Sequence, residues 1–362
     1  MCAGSYSFEG SVVVDLTRRR LVQAAGGAAL APQGGGAAVR ASERRERPDT
    51  PKLCLPGGQT ASALMRVKQL GVDHVIGGVG GPIPWQESAI RTQIDRSKAA
   101  GLTMGIAMIA GFPNAIYGRP GRDEEIDKVI QSVRAAGRAG LPVIEYNWYA
   151  HRAMEGYFAE TGRGGSGYTS FDYDRVKDLP PLPEEGAHSL DEMWANIAYF
   201  LKAVIPVAQE SHVRLALHPN DPPAPVSRGS GQIMGSVEGW KRLIEIVPSP
   251  SNGITFDCGV TREMGQDPVE ACRYFGTRDR INHVHFRNVR VSVPREKYTE
   301  VFPDEGDVDF VNAIRVYKEI GYSYMLMPDH VPLAEADPGS LQSFAFCYGY
   351  IRGLIQSVYA AA

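Results

Sequence analysis

Residues 190–219, LDEMWANIAYFLKAVIPVAQESHVRLALHP, contain one helical pattern followed directly by one strand pattern. From Leu190 to Glu210 the apolar residues recur every three or four positions, which predicts a helix with one buried face. The apolar run Val213–Pro219 predicts a buried strand that ends at a histidine, His218. The stretch is therefore one helix-to-strand unit with a polar side chain at the strand end.

The same alternation runs through the rest of the chain after residue 50. Further helices are predicted at Ala61–Leu70, Trp85–Ala100, Asp123–Ala139, Val237–Ile246, Val308–Ile320 and Leu341–Tyr359. The other predicted strands are Lys52–Pro56, Asp73–Val79, Thr103–Met108, Pro142–Trp148, Gly253–Gly259, Ile281–Asn288 and Ser323–Asp329. Eight strands alternating with helices predict an α/β fold, the (β/α)8 or TIM barrel. The glycine-rich phosphate loop typical of a doubly wound sheet does not occur after a strand.

Composition excludes several classes of protein. The chain has 362 residues, of which 43% are hydrophobic and 22% charged, and its net charge is −3. It has no basic stripe interleaved with aromatics, so nucleic acid is not an expected partner. It also lacks the roughly 18 consecutive apolar residues of a membrane span. The five cysteines include no CxxC pair, which argues against a disulfide framework or a structural zinc site.

Residues 1–50 have a different character from the rest. TRRRLVQ (residues 17–23) precedes an Ala/Gly-rich run and resembles a twin-arginine export signal, which implies a periplasmic location. The alternative is a disordered basic leader on a cytoplasmic protein. We therefore assign residues 1–50 to a leader and residues 51–362 to a single barrel domain. Full-length protein in the soluble cytoplasmic fraction would contradict export.

Two connections between predicted strands and helices are long, residues 150–189 and 289–307. Loops of this length in a compact domain are usually lids or binding loops. Because the connections that follow barrel strands all open on one face, we expect both to lie over the mouth of the barrel.

Metal-binding residue types follow four neighbouring strands. The last four of the eight predicted barrel strands each carry such a residue at or near the end: in chain order, His218, Cys258 after Asp257, His285 and Asp329. Nitrogen, sulfur and oxygen donors at corresponding positions predict a site for Mn²⁺, Fe²⁺, Co²⁺ or Zn²⁺ rather than Mg²⁺ or Ca²⁺. His283 shares the face of His285 but lies farther from the strand end, so we place it in the layer beneath.

Other polar side chains are predicted at the same rim. Arg287 is the candidate for holding a carboxylate, and His330 for proton transfer. Candidates for contact with substrate are Glu145, Asn147, Asn220 and Asn288.

These residues also carry a resemblance to the D-mannonate dehydratases, within the group of xylose-isomerase-like barrels. LALHPNDPP (215–223) is similar to the HPDDPP strand end of that family, GDVDF (306–310) to its GDVDM, and PDH (328–330) to its RPDHG. Asp257-Cys258 falls at the family's cysteine, HVHFRN (283–288) at its THLRS segment, and EYN (145–147) at a YNF strand. The resemblance implies Mn²⁺ held by His218, Cys258, His285 and Asp329, with His330 in proton transfer. It also implies dehydration of D-mannonate, or a close aldonate, to 2-keto-3-deoxy-D-gluconate.

The chain departs from the family at several points. An arginine that meets substrate near the family's first strand is absent from Lys52–Pro56, and Val331 replaces the glycine after PDH. The family's tyrosine after that segment has its nearest counterparts in Tyr348 and Tyr350, and we take Tyr348 as a third catalytic candidate.

Two alternatives to a dehydratase remain open. One is a sugar isomerase or epimerase of the same barrel group, in which Glu145 would move the proton. The other is a metal-binding carbohydrate receptor without activity, which the missing arginine permits. A small sugar acid is the expected partner in the first interpretation, and homo-oligomer formation is left open.

Overall fold

The computed structural model describes residues 46–58 and 60–360. The twin-arginine motif at residues 17–23 lies outside the described residues, so export stays a prediction. Glu46 and Arg47, which the sequence placed in the leader, contact the barrel domain. The Glu46 carboxylate accepts a hydrogen bond from Leu53 N, and Arg47 Nη1 donates to the backbone oxygen of Tyr359. The folded domain therefore includes residues before position 51.

Strands and helices alternate along the described chain. The strands are Lys52–Pro56 (β1), His74–Gly77 (β2), Thr103–Ile109 (β3), Val143–Tyr146 (β4), Tyr157–Thr161 (β5), Gly167–Asp172 (β6), Arg214–Leu217 (β7), Val226–Ser227 (β8), Ser230–Gly231 (β9), Asn252–Asp257 (β10), Ile281–His285 (β11), Asn288–Val293 (β12), Lys297–Val301 (β13) and Met325–Met327 (β14). The helices are Ala61–Gln69 (α1), Glu87–Ala99 (α2), Pro113–Tyr117 (α3), Arg122–Ala139 (α4), Leu190–Glu210 (α5), Val237–Ile246 (α6), Cys258–Glu263 (α7), Pro268–Gly276 (α8), Phe310–Glu319 (α9) and Leu341–Ala360 (α10).

Eight of these strands form a closed parallel barrel, in the order β1-β14-β11-β10-β7-β4-β3-β2. The predicted (β/α)8 fold is confirmed. All eight barrel strands overlap the predicted ones, and the differences lie at their ends. None of the helices in the described part of the chain has the length and apolar character needed to cross a bilayer.

Helix α5 shows why the periodic pattern was informative. It begins with a capping box, in which Ser189 Oγ accepts a hydrogen bond from Glu192 N and the Glu192 side chain accepts one from Ser189 N. Its periodic residues, including Met193, Ile197 and Leu201, are buried against the barrel. The helix ends at Glu210, as predicted, and the chain enters β7 four residues later.

The two long connections form one additional sheet, which we call the loop sheet: β12-β13-β6-β5, with antiparallel pairing throughout. Strands β5 and β6 come from the connection 150–189, and β12 and β13 come mainly from 289–307. Phe171 and Tyr298 face each other across the β6–β13 pair and are buried in a small core of their own. The two predicted lid loops are therefore a single folded element.

Candidate active site

A cavity of about 350 Å³ opens where the barrel strands end. Its walls include side chains from the ends of β4, β7, β11 and β14 and from the loop before the loop sheet. The lining residues are Pro56, Ile76, Met108, Glu145, Asn147, Tyr149, Arg152, His218, Pro219, Asp221, His285, Met327, Asp329 and His330. This is the end of a TIM barrel at which active sites are built.

Four side chains meet beside this cavity with ligand atoms within 4.8 Å of one another: His218, Asp257, His285 and Asp329, here called the donor cluster. His218 Nε2 lies 3.1 Å from His285 Nδ1. The same His285 nitrogen lies 3.4 Å from Asp329 Oδ2 and 4.0 Å from Asp257 Oδ2. Two imidazoles and two carboxylates converging on one point suit a borderline divalent cation.

The structure does not bring Cys258 into the donor cluster. Its thiol is fully buried and donates to the backbone oxygen of Arg287, 3.3 Å away, and burial raises the pKa of the thiol well above its usual range. Strand β10 ends at Asp257, which is paired with His285 in the barrel register, so both side chains point to the same side. Cys258 is already the first residue of α7 and points toward the outer core. Asp257 therefore occupies the position that we predicted for the cysteine.

The charges of the donor cluster fit a bound cation. Burial lowers the pKa of His285, but the carboxylates of Asp329 and Glu145 raise it more, to about 9. Burial and the neighbouring His285 lower the pKa of His218 to about 4. Without a metal, a protonated His285 partly offsets the negative charge of the two aspartates. A divalent cation would take over that role and leave both imidazoles neutral.

Glu145 lies between the cavity and the layer beneath. Its Oε1 accepts a hydrogen bond from Thr255 Oγ1 at 2.7 Å and lies 3.5 Å from His285 Nε2. A carboxylate on the second nitrogen of a metal-binding histidine fixes the orientation of the ring. His283 lies under His285, with the two ring centroids 4.9 Å apart. The prediction that His283 belongs to the lower layer agrees with this arrangement.

Arg287 is not available to hold a substrate carboxylate. Its side chain is 1% exposed and surrounded by acidic groups. Nε lies 3.1 Å from Asp257 Oδ2, Nη1 lies 2.7 Å from Glu263 Oε1, and Nη2 lies 3.3 Å from Asp221 Oδ1. Burial raises the pKa of Glu263 well above its usual range, and Asp257 and Asp221 also place negative charge beside Arg287. The guanidinium therefore stabilises the donor cluster from behind.

His330 connects the donor cluster to the loop sheet. Nδ1 lies 2.8 Å from Glu300 Oε1, and Nε2 lies 3.4 Å from Asp329 Oδ2. Burial lowers the pKa of His330, but Asp329 and Glu300 raise it more, to about 10. Glu300 belongs to β13, so the long connection 289–307 supplies the residue that orients this imidazole.

Known proteins resemble this chain over most of its length. The D-mannonate dehydratase (UxuA) family model matches residues 186–362. The mannonate dehydratase of Thermotoga petrophila is 29% identical over 341 residues, covering 82% of this chain and 93% of that protein. The crystal structure of mannonate dehydratase from Streptococcus suis serotype 2 superposes with a TM-score of 0.78 at 25% identity, covering 86% and 95% of the two chains. The chain is thus similar to the mannonate dehydratases in both sequence and structure.

More distant structures share the barrel. A xylose isomerase domain protein from Planctomyces limnophilus superposes with a TM-score of 0.58 at 14% identity, over 85% of this chain and 98% of that one. This likeness supports the fold alone.

Besides Cys258 and Arg287, three further candidates that we selected from the sequence lie outside the cavity. Tyr348 is buried on α10, and its hydroxyl donates to the backbone oxygen of Cys54. The side chain of Asn220 accepts a hydrogen bond from Met234 N. Asn288 holds the loop to α9 through Pro303 O and Val308 N. All three therefore stabilise loops or helices, whereas Asn147 does line the cavity.

Three polar residues of the cavity were missed from the sequence as candidates for the site. Asp221 belongs to the quoted NDPP turn, and its neighbour Asn220 was chosen instead. Tyr149 and Arg152 follow β4 within the long connection, where strand parity gives no guide to side-chain direction. The signal for Asp257 was present, because it ends the strand TFD and shares the parity of a barrel-facing residue.

Proposed function

We propose that this protein removes water from a sugar acid, with D-mannonate as substrate and 2-keto-3-deoxy-D-gluconate as product. The observation that carries the proposal is the place of Asp329, whose Oδ2 lies 3.4 Å from both His285 Nδ1 and His330 Nε2. A metal-binding group and a proton-transfer group therefore share one wall of the cavity. The similarity to the mannonate dehydratases supports the same reaction.

The donor cluster fits a divalent metal, and we propose Mn²⁺. His218, Asp257, His285 and Asp329 would hold it, with Glu145 orienting His285 and Arg287 balancing Asp257. A bound cation supplies positive charge where a hydroxy acid gains negative charge on losing a proton. Fe²⁺, Co²⁺ and Zn²⁺ also suit two imidazoles and two carboxylates. Because the donor cluster contains no thiolate, the softness argument against Mg²⁺ is weaker than it was with Cys258.

Loss of water breaks a C–H bond beside the substrate carboxylate and a C–O bond at the next carbon. One group takes the proton and another protonates the departing hydroxyl. We assign one of these transfers to His330, since this residue lines the cavity and its Nδ1 is held by Glu300. The loop sheet carries Glu300 and, in this proposal, limits the access of water to the mouth.

The test is an assay of Mn²⁺-loaded protein with D-mannonate, in which the keto-deoxy acid is measured. Formation of the product supports the dehydratase. Binding of D-mannonate without product would instead support a receptor. Interconversion of sugars without loss of water, across a panel of aldoses and ketoses, would support an isomerase or epimerase.

Replacing His330 by asparagine should lower kcat by about 10²- to 10⁴-fold, the usual contribution of a positioned acid or base. KM should change only a few-fold, and Mn²⁺ should still bind, because the four donors remain. The matched control is His212→Asn, at an exposed histidine before the start of β7, at the opposite end of the barrel. An unchanged kcat for His330→Asn would contradict the role of His330.

A further inference from the structure

The cavity has to balance the charge of a carboxylate if its ligand is a sugar acid. Its lining includes the carboxylates of Glu145, Asp221 and Asp329. Among the lining residues that the structure describes, Arg152 is the one lysine or arginine. A cavity rich in acidic groups repels an anion unless a cation is placed to receive it. This makes the surroundings of Arg152 decisive for the choice of ligand.

The protein contacts of Arg152 orient its guanidinium group through two of its three nitrogens. Nε donates to the backbone oxygen of Asp221, and Nη2 lies 3.2 Å from Asp221 Oδ2. Nη1 makes no hydrogen bond to any residue that the structure describes, and 32% of the side chain is exposed. A guanidinium that is oriented by one partner while a nitrogen remains free is organised in advance for a ligand carboxylate.

The carboxylate partner of Arg152 is shared with other groups. Asp221 is 1% exposed and also lies 3.3 Å from Arg287 Nη2. Tyr157 donates a hydrogen bond to the same carboxylate at 2.8 Å. Asp221 is therefore shared between two guanidinium groups and is not paired with Arg152 alone. Of these two groups, Arg287 is buried away from the cavity, whereas Arg152 lines it.

The first strand supplies no cation to the cavity. The lining residue from β1 is Pro56, which carries no charge. The guanidinium in the cavity wall comes from the connection after β4. Its backbone is fixed by the loop sheet, since Tyr157 of β5 hydrogen-bonds both Asp221 and the Tyr298 hydroxyl.

We propose that Arg152 binds the carboxylate of the substrate and makes this site select sugar acids over neutral sugars of the same carbon skeleton. The inference rests on the proposed function and adds the residue that sets its specificity. It also replaces Arg287 as the group that receives the carboxylate.

The experiment compares D-mannonate with D-mannitol, a neutral analogue, on full-length protein loaded with Mn²⁺. Binding of both compounds is measured by calorimetry, and KM and kcat are measured for D-mannonate. Arg152→Met should weaken D-mannonate binding about 10- to 100-fold, as expected for loss of a charge-assisted hydrogen bond, with little effect on D-mannitol. The D-mannonate affinity of Arg152→Lys should fall between those of Arg152→Met and the wild type, because lysine keeps the charge but not the planar pair of donors.

The matched control is Arg228→Met. Arg228 is also half-buried and also paired with a carboxylate, Glu155, but it does not line the cavity. Its substitution should leave the preference for D-mannonate over D-mannitol unchanged. Mn²⁺ stoichiometry and the melting temperature show whether each variant is folded, and the ratio of the two affinities within one protein is insensitive to a loss of active molecules.

The outcomes separate this inference from the proposed reaction. Wild-type protein that binds D-mannonate without forming product overturns the reaction, while the binding ratio still tests Arg152. If the wild type is active and Arg152→Met keeps the same preference for D-mannonate over D-mannitol, the role of Arg152 is wrong while the proposed reaction stands. Wild-type protein that binds D-mannitol as tightly as D-mannonate overturns the selectivity that we propose.

Discussion

We expect the Asp257→Asn substitution to lower Mn²⁺ affinity by more than about 100-fold. Loss of a residue that only hydrogen-bonds a metal ligand typically costs about 10- to 100-fold, and Asp257 is a ligand in our proposal. The Asp257 carboxylate lies in the donor cluster and is fully buried, so its negative charge is not replaced by water. Asparagine is chosen because Asp257 Oδ1 also caps α7 by accepting a hydrogen bond from Val260 N, and asparagine is an equally good cap. The measurement is metal content after dialysis, together with a calorimetric titration.

The neighbouring cysteine provides the control. Cys258→Ser should keep Mn²⁺ affinity within a few-fold of the wild type, because the thiol contacts the Arg287 backbone and not the cluster. Wild-type protein loaded with Co²⁺ should lack the strong near-ultraviolet absorption of a cobalt–thiolate bond, because the donor cluster contains no thiolate. Loss of metal in Cys258→Ser with retention in Asp257→Asn would show that the cysteine binds the metal and that our assignment of Asp257 is wrong.

Replacing Arg287 by methionine should lower the free energy of unfolding by about 3–5 kcal/mol, the cost of removing one partner from a buried charge pair. Asp257 and Asp221 would then be buried without their shared cation. The measurement is urea-induced unfolding of the metal-free proteins, which separates this effect from stabilisation by bound metal.

A second substitution tests the cause of that loss. Arg287→Lys keeps the charge but reaches fewer of the surrounding carboxylates, so it should recover only part of the stability. Arg273→Met is the control, because Arg273 pairs with Glu319 on the surface, where such a pair contributes about 0–1 kcal/mol. Equal unfolding free energies for Arg287→Met and Arg273→Met would contradict the network.

The prediction of the barrel succeeded because long elements carry a repeating pattern. Helix α5 was predicted to the residue, since its periodic face spans six turns and a capping box marks its start. Short helices were missed for the opposite reason. Helices α3 and α7, with five and six residues, are too short to show a period, and α8, with nine, was also overlooked.

One missed helix explains the main error in the predicted site. Reading Gly253–Gly259 as a strand made Cys258 its final donor, but the chain turns into α7 at that residue. The register of β10 against β11 also shifts between Ile254 and Thr255, which places Asp257 beside His285. A shift of this kind depends on the neighbouring strand and leaves no local pattern to read.

The amino-acid sequence alone contained the order of strands and helices, the end of the barrel at which polar residues gather, and three of the four members of the donor cluster. These follow from local spacing, because periodicity and strand ends are properties of consecutive residues. The direction of each side chain was established by packing. Asp257 faces the cluster, Arg287 is enclosed by carboxylates and Arg152 reaches the cavity from a long connection, because register, burial and loop pairing involve residues far apart in the chain.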